Sequence, residues 1–332
     1  MMDDDRVEDT GGATTLRATL CGRTTLSAHG QTLGPRQLGG AKPRHILMAL
    51  LLRVGQPVTK AQLVEHLWGD TPPAGALSTL EGYASLLRKR MEPLHPGQDS
   101  PIRTVPGGYL ADPALIDVDT QRFHLLCDAA RRPGRPRAQA LQDYTSALHV
   151  VEGGLLPDEK AQLWLDEERR SHEAAVVRVM VEAAALALDA DQPGLAEHWA
   201  RTALDRDAFD ETAWRVLLES LEVRGQHADG VRAYDSCRRL FAKELGCAPG
   251  PGIRAAFSRL LAGTQQSDEA GLGSLVQALM RVYAEASPPR PSMAPGASGA
   301  SGATALEDAC RALDALLVAA RANYRLRLVA SA

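Results

Sequence analysis

From Ala41 onward the apolar positions recur with helical spacing. Ile46, Leu47, Leu50, Leu51 and Val54 follow Lys42-Pro43-Arg44 at i, i+1, i+4, i+5 and i+8. That pattern predicts one amphipathic helix, with Pro43 in its first turn and Gly55 as its stop. Thr59 and Gln62 have capping-box spacing and open a short helix that turns Leu63, Val64, Leu67 and Trp68 inward before Gly69. After a Pro/Gly-containing run at 70–75, a third helix is predicted from about Ala76 to Met91, burying Leu80, Tyr83, Leu87 and Met91, with Pro93 ending it. Residues 102–105 and 109–111 flank Pro106-Gly107-Gly108 as strand, tight turn and strand. Upstream, residues 16–21 alternate, and short apolar pieces at 24–26, 32–33 and 37–38 sit between Gly and Pro, predicting a small antiparallel sheet.

From Asp117 the pattern becomes wholly helical, with candidate helices at 120–130, 137–150, 162–189, 194–204, 211–224, 228–245 and 252–261. Met180, Ala183, Ala184, Ala187, Ala196, Ala200 and Ala203 recur 34 positions later as Trp214, Leu217, Leu218, Leu221, Gly230, Tyr234 and Cys237. A 34-residue period with small residues at close-approach sites is the tetratricopeptide signature. Two repeats cannot bury a solenoid alone, so flanking helices must cap them.

The expected fold is therefore mainly α. A winged helix-turn-helix with a small β-sheet and a hairpin wing comes first, and an all-α tetratricopeptide-like domain follows. In a winged helix the third helix lies in the DNA major groove and the hairpin tip reaches a neighbouring groove. The expected division is a disordered leader at 1–13, the winged helix at 14–112 and the helical domain at 117–263. A short helix at 264–286, a Pro/Ser/Gly/Ala-rich tether at 287–303 and an amphipathic helix at 304–328 complete the chain. The last carries Leu306, Leu313 and Leu317 on one stripe, which suits either docking on its own protein or a partner or dimer contact.

Composition narrows the class. Apolar residues make up 45% of the 332 positions and aromatics 4%, which favours tightly packed helices. Five cysteines are odd in number and scattered without a CxxC pair, so they read as reduced packing residues. The longest apolar run, 46–52, is far too short to span a membrane, and the acidic start is unlike a signal peptide. A cytoplasmic protein with no membrane partner is expected. Net charge is −4 overall, but residues 36–111 carry nine Lys/Arg against five Asp/Glu, a local +4 that leaves −8 elsewhere. A basic module on an acidic carrier is the mark of a localised phosphate-binding surface.

Catalytic and metal chemistry find no foothold. The nine histidines show no HExxH spacing, and no GxxxxGK[ST] phosphate loop occurs. Gly296-Ala-Ser-Gly lacks nucleophile-elbow spacing and lies in low-complexity sequence. No enzyme activity and no cofactor are expected.

The residues that face a groove can be named. On the third helix Ser78, Glu81, Gly82, Ser85 and Leu86 lie outward, with Arg88, Lys89 and Arg90 near its end. That basic turn serves either phosphates or the helix dipole. Lys42 and Arg44 at the first helix's start, and Arg103 beside the wing, are further phosphate candidates.

Several runs also carry a resemblance. They are Leu38-Gly-Gly-Ala-Lys-Pro-Arg44, Leu67-Trp-Gly-Asp-Thr-Pro-Pro73, Thr79-Leu80, Tyr83, Ser85, Leu87-Arg88 and Arg103-Thr-Val-Pro-Gly-Gly-Tyr109. In order and spacing they resemble the DNA-binding domain of the Streptomyces antibiotic regulatory protein family, which shares its winged helix with OmpR-type response regulators. Leu163-Trp-Leu165, Glu168-Arg169, Gly225-Gln226, Ala233-Tyr234, Glu244-Leu-Gly246 and Pro249-Gly-Pro251 resemble the bacterial transcriptional activation domain of the same family. The resemblance covers about 16–261. It adds Thr79, Gly107, Gly108 and Tyr109 to the implied DNA-binding set. It implies an activator that binds promoter repeats of antibiotic biosynthesis genes as double-stranded DNA and recruits RNA polymerase, with possible self-association. Leu77, Ser78, Glu81, Gly82 and Leu86 stand where family members commonly carry Arg, Asn, Gln, Thr and a second Arg. The alternative those positions raise is a DNA-binding-impaired relative acting as a protein-interaction co-regulator through its helical domain.

Overall fold

Gly40 leads the chain into α1 (Ala41–Leu51), whose buried stripe runs through Ile46, Leu47, Leu50 and Leu51. The computed structural model describes residues 15–96, 99–160 and 162–263, all within one compact unit. The expectations for 1–13, 264–286, 287–303 and 304–328 lie outside the described residues.

α2 (Lys60–Trp68) starts as its sequence requires. The Thr59 hydroxyl accepts from the Gln62 N–H at 3.2 Å, and the Gln62 side chain accepts from the Thr59 N–H at 3.0 Å. α3 (Ala76–Met91) buries Ala76, Leu80, Ala84, Leu87 and Met91, a stripe at successive steps of four and three. Ala84 thus fills the place expected of Tyr83. Tyr83 and Leu86 flank the stripe half-buried, with Leu86 beside Gly39 and not on the outer face. Pro93 does not stop the chain outright, because a 3-10 turn, Glu92–Leu94, continues from α3.

Two sheets frame these helices. β1 (Leu16–Thr19), β2 (Thr25–Ala28) and β3 (Gln31–Leu33) pair antiparallel. The wing hairpin is β5 (Ile102–Val105) and β6 (Gly108–Ala111), and β4 (Val58–Thr59), an unexpected third strand, pairs with β6. β7 (Ile116–Val118) pairs parallel with β1 and closes the first sheet in the order β3-β2-β1-β7. The expectation of helix throughout from Asp117 is corrected accordingly, and helix begins at Asp119.

The helical body comprises α4 (Asp119–Ala130), α5 (Arg137–Val150), α6 (Leu163–Asp189), α7 (Pro193–Arg206), α8 (Glu211–Val223) and α9 (His227–Leu240), then a helix at 251–263. α9 ends earlier than expected, in a π-helical turn at Phe241–Leu245 closed by left-handed Gly246. The 34-residue period is physical. Ala183, Ala187, Ala196, Ala200 and Ala203 are buried, as are their counterparts Leu217, Leu221, Gly230 and Cys237, with Tyr234 half-buried. Thus α6 and α7 repeat as α8 and α9, and the fold is a winged helix followed by a tetratricopeptide-like domain.

The two parts share a seam. Buried Asp119 accepts from the N–H groups of Leu20 (2.8 Å) and Cys21 (2.7 Å), and Leu156 N–H donates to Leu20 O at 2.8 Å. Trp164 of α6 stacks on His66 of α2 with ring centroids 4.7 Å apart. Glu168 accepts from Arg53 at 2.9 Å. One hydrophobic cluster runs through the seam from Leu16 to Ala213, and a second lies under α7–α9.

Candidate nucleic-acid interface

α2, the turn at 70–75 and α3 form the helix-turn-helix. Because α3 commits one stripe to the core, its opposite face is left to solvent: Leu77 is 55% exposed, and Ser78, Glu81, Gly82, Ser85, Lys89 and Arg90 are exposed beside it. Thr79 is half-buried between the faces. A Cβ added at Gly82 would meet nothing within 4 Å, so packing within the chain does not require glycine there.

Sequence reasoning missed Lys60. It occupies the first turn of α2, and its ammonium contacts Glu81 of α3 at 2.6 Å and lies 6.0 Å from the Tyr109 ring centroid. The hydrogen bond to Glu81 raises the Lys60 pKa above its ordinary value. The signal available was a lysine directly after an N-cap threonine, at the end of a helix where phosphates bind.

The expected basic residues divide by what their charges already touch. Arg88 is spent on the wing: its Nε donates to Ile102 O at 2.9 Å and its terminal nitrogen to the Thr104 hydroxyl at 2.7 Å, while the guanidinium stacks 5.7 Å from the Tyr109 ring centroid. It positions α3 against the hairpin and is not a free phosphate ligand. Arg44 is withdrawn from the DNA-facing set. Its Nε and a terminal nitrogen donate to Glu159 of the helical body at 2.9 and 3.2 Å. Lys42 lies over the Trp68 ring, 4.7 Å from its centroid. Arg103 pairs with Asp112 at 3.0 Å, although its own side chain is largely exposed. Among the described residues Arg36, Lys89 and Arg90 have no carboxylate partner, so the free basic surface is much thinner than the +4 count implies.

The wing glycines have different tasks. Gly107, at φ +78°, makes the exposed tip and supplies the carbonyl that accepts from Lys60 N–H at 2.9 Å. Gly108 is buried inside the sheet, where a Cβ would sit 2.1 Å from Val58 O. Tyr109, 3% exposed, is core and not contact surface. Replacing Gly108 by alanine must push β4 from β6. It is expected to cost about 1–3 kcal/mol in urea unfolding, as overpacking does. An unchanged midpoint would mean the backbones are not that close.

Residues 38–110 match the family described as "Transcriptional regulatory protein, C terminal", and residues 118–261 match "Bacterial transcriptional activator domain". The regulatory protein AfsR of Streptomyces coelicolor is 31% identical over 260 residues, which cover 76% of this chain and 25% of AfsR. The chain thus spans about a quarter of that relative's length. The regulatory protein DnrI of Streptomyces peucetius is 28% identical over 223 residues, covering 64% of this chain and 81% of DnrI. Among solved structures, Mycobacterium tuberculosis EmbR in complex with a low-affinity phosphopeptide superposes with a TM-score of 0.66 at 22% identity. That match covers 80% of this chain and 71% of EmbR, and it shows the shared fold. No helix among the described residues is long and apolar enough to cross a membrane.

Proposed function

The chain belongs to the Streptomyces antibiotic regulatory protein family, and from that premise we propose that it is a DNA-binding activator of antibiotic biosynthesis genes. It binds promoter repeats through α3, with the wing tip at Gly107 in a neighbouring groove. The helical domain recruits RNA polymerase and supports self-association on adjacent repeats. The observation that carries this reading is the outer face of α3, left open from Leu77 to Arg90 while α1, α2 and β1 are tied to the helical body. Lys89, Arg90 and, at the free wing tip, the Gly107 backbone are the proposed phosphate contacts. Ser78, Glu81, Gly82 and Ser85 face the bases.

Fluorescence anisotropy on duplexes from neighbouring biosynthetic promoters tests the reading across a salt series. The two free cations of α3, Lys89 and Arg90, predict a slope of log affinity against log salt of about −2 per protomer, since each neutralised phosphate contributes about −0.9. Had all nine basic residues engaged, the slope would be about −8. Absent or salt-insensitive binding overturns the proposal.

The second reading is a co-regulator that acts through protein contacts. One observation favours it: an exposed leucine, Leu77, and a carboxylate, Glu81, stand on the groove-facing surface, where neither attracts a phosphate.

A further inference from the structure

The outer face of α3 carries one apolar side chain among polar and small ones. Leu77, in the first turn of the helix, is 55% exposed, and Ser78, Glu81, Gly82 and Ser85 make up the rest of the face before Lys89. We propose that Leu77 is a specificity-determining residue that reads the 5-methyl group of a thymine in the major groove, with Gly82 letting the helix seat close enough to the bases for that contact. This rests on the duplex-binding reading above and names the base that it leaves open.

The face lacks the groups that ordinarily tell bases apart. A bidentate fork to guanine needs arginine or lysine, and one to adenine needs asparagine or glutamine. None of these stands between Leu77 and Ser85. Arg88 is engaged by Ile102 O at 2.9 Å and by the Thr104 hydroxyl at 2.7 Å. The Glu81 carboxylate, which could accept from cytosine, is held by Lys60 at 2.6 Å. The hydroxyls of Ser78 and Ser85 both donate and accept, so they discriminate little. What remains is apolar contact, and thymine is the base whose major-groove edge carries a methyl group.

Position and energetics agree. A recognition helix enters the groove with its N-terminal residues on the base edges, and Leu77 is the second residue of α3. A thymine methyl and the leucine leave water together, whereas a cytosine at the same place would present an amino group and leave it unpaired. Gly82 adds an independent observation. Glycine inside a helix is destabilising relative to alanine, yet no described atom from elsewhere in the chain lies within 4 Å of a Cβ placed there. A helical glycine that packing does not require suits a backbone that something outside the chain approaches closely.

In the test, the full chain selects its sites from duplexes with a randomised core, and each thymine of the tightest site is then replaced by uracil, which lacks only the methyl. At one thymine the replacement should weaken binding about fourfold, the worth of one buried carbon group. Leu77→Ala should bind the thymine and uracil duplexes equally, and Leu77→Arg should move the selected base at that position from thymine to guanine. Leu77 is exposed, so neither substitution puts folding in question. Gly82→Ala should raise the unfolding midpoint and still weaken duplex binding about fivefold, as an overpacked methyl does. Tight duplex binding that ignores every uracil, a uracil penalty that survives Leu77→Ala, or undiminished binding by Gly82→Ala would each overturn the inference and leave the duplex-binding reading standing. Failure to bind any duplex would overturn both.

Discussion

Replacing Glu81 by glutamine is expected to tighten duplex binding about tenfold at moderate salt and to steepen the salt slope by about one unit. Glu81 is the carboxylate on the groove-facing side of α3, and its side chain is 56% exposed. In the proposed complex it acts twice against DNA. Its own charge faces the phosphates, and it holds the Lys60 ammonium at 2.6 Å, away from them. Glutamine keeps the length and the acceptor but gives up the charge, so Lys60 becomes a third free cation on this face. An exposed pair of this kind contributes little to stability, so the unfolding midpoint should barely move. Lys60→Met supplies the second leg of a double-mutant cycle: it should matter little beside Glu81 and remove most of the gain beside glutamine. If Glu81→Gln changes neither affinity nor slope, α3 does not approach a duplex, and the co-regulator reading takes over.

The same pair shows where sequence reading stops. α1, α2 and α3, the capping box at Thr59, the hairpin and the helices from α4 on are local patterns, in which each residue's neighbours in sequence are also its neighbours in space. The 34-residue repeat was legible for that reason. β4 and β7 were not, because two- and three-residue strands carry no usable period and β7 pairs with a strand about a hundred residues earlier. Charge is harder still. The nine basic residues of 36–111 can be counted from sequence, but Arg44 finds its carboxylate 115 positions away, and Arg53 finds its own at the same separation. Lys60 and Glu81 meet across 21 positions and two helices. A count of cations sets an upper limit on phosphate contacts, and tertiary pairing decides how many remain. Tyr109 shows the complementary point: its motif is plain in sequence, yet it packs beneath Lys60 and Arg88 as core.

Glu159→Gln is expected to cost about 3–5 kcal/mol of stability, the largest effect of any substitution considered. The Glu159 side chain is 4% exposed and that of Arg44 20%, so both charges are largely out of water. Each depends on the other, and His45 Nε2 stands 3.4 Å from the second carboxylate oxygen. Arg169 braces the same loop by donating to Glu159 O at 2.8 Å. Removing the carboxylate charge leaves a guanidinium without a counter-ion on the seam. Substituting both partners with methionine should recover much of the loss, because a buried ion pair gains little over an apolar pair of similar volume. Guanidinium unfolding followed by Trp164 fluorescence and by far-ultraviolet circular dichroism checks this. Trp164 stacks on His66 across the seam, so with Trp68, Trp199 and Trp214 replaced by phenylalanine its signal reports the junction, whereas the dichroism reports the helices of both parts. Because one hydrophobic cluster runs through both parts, the two signals should move together in wild type and in variant. A wild-type chain whose fluorescence changes well before its dichroism would show that the winged helix unfolds separately. In that case the seam could not hold α3 in a fixed relation to the helical body, and the Arg44–Glu159 pair would not couple the two parts.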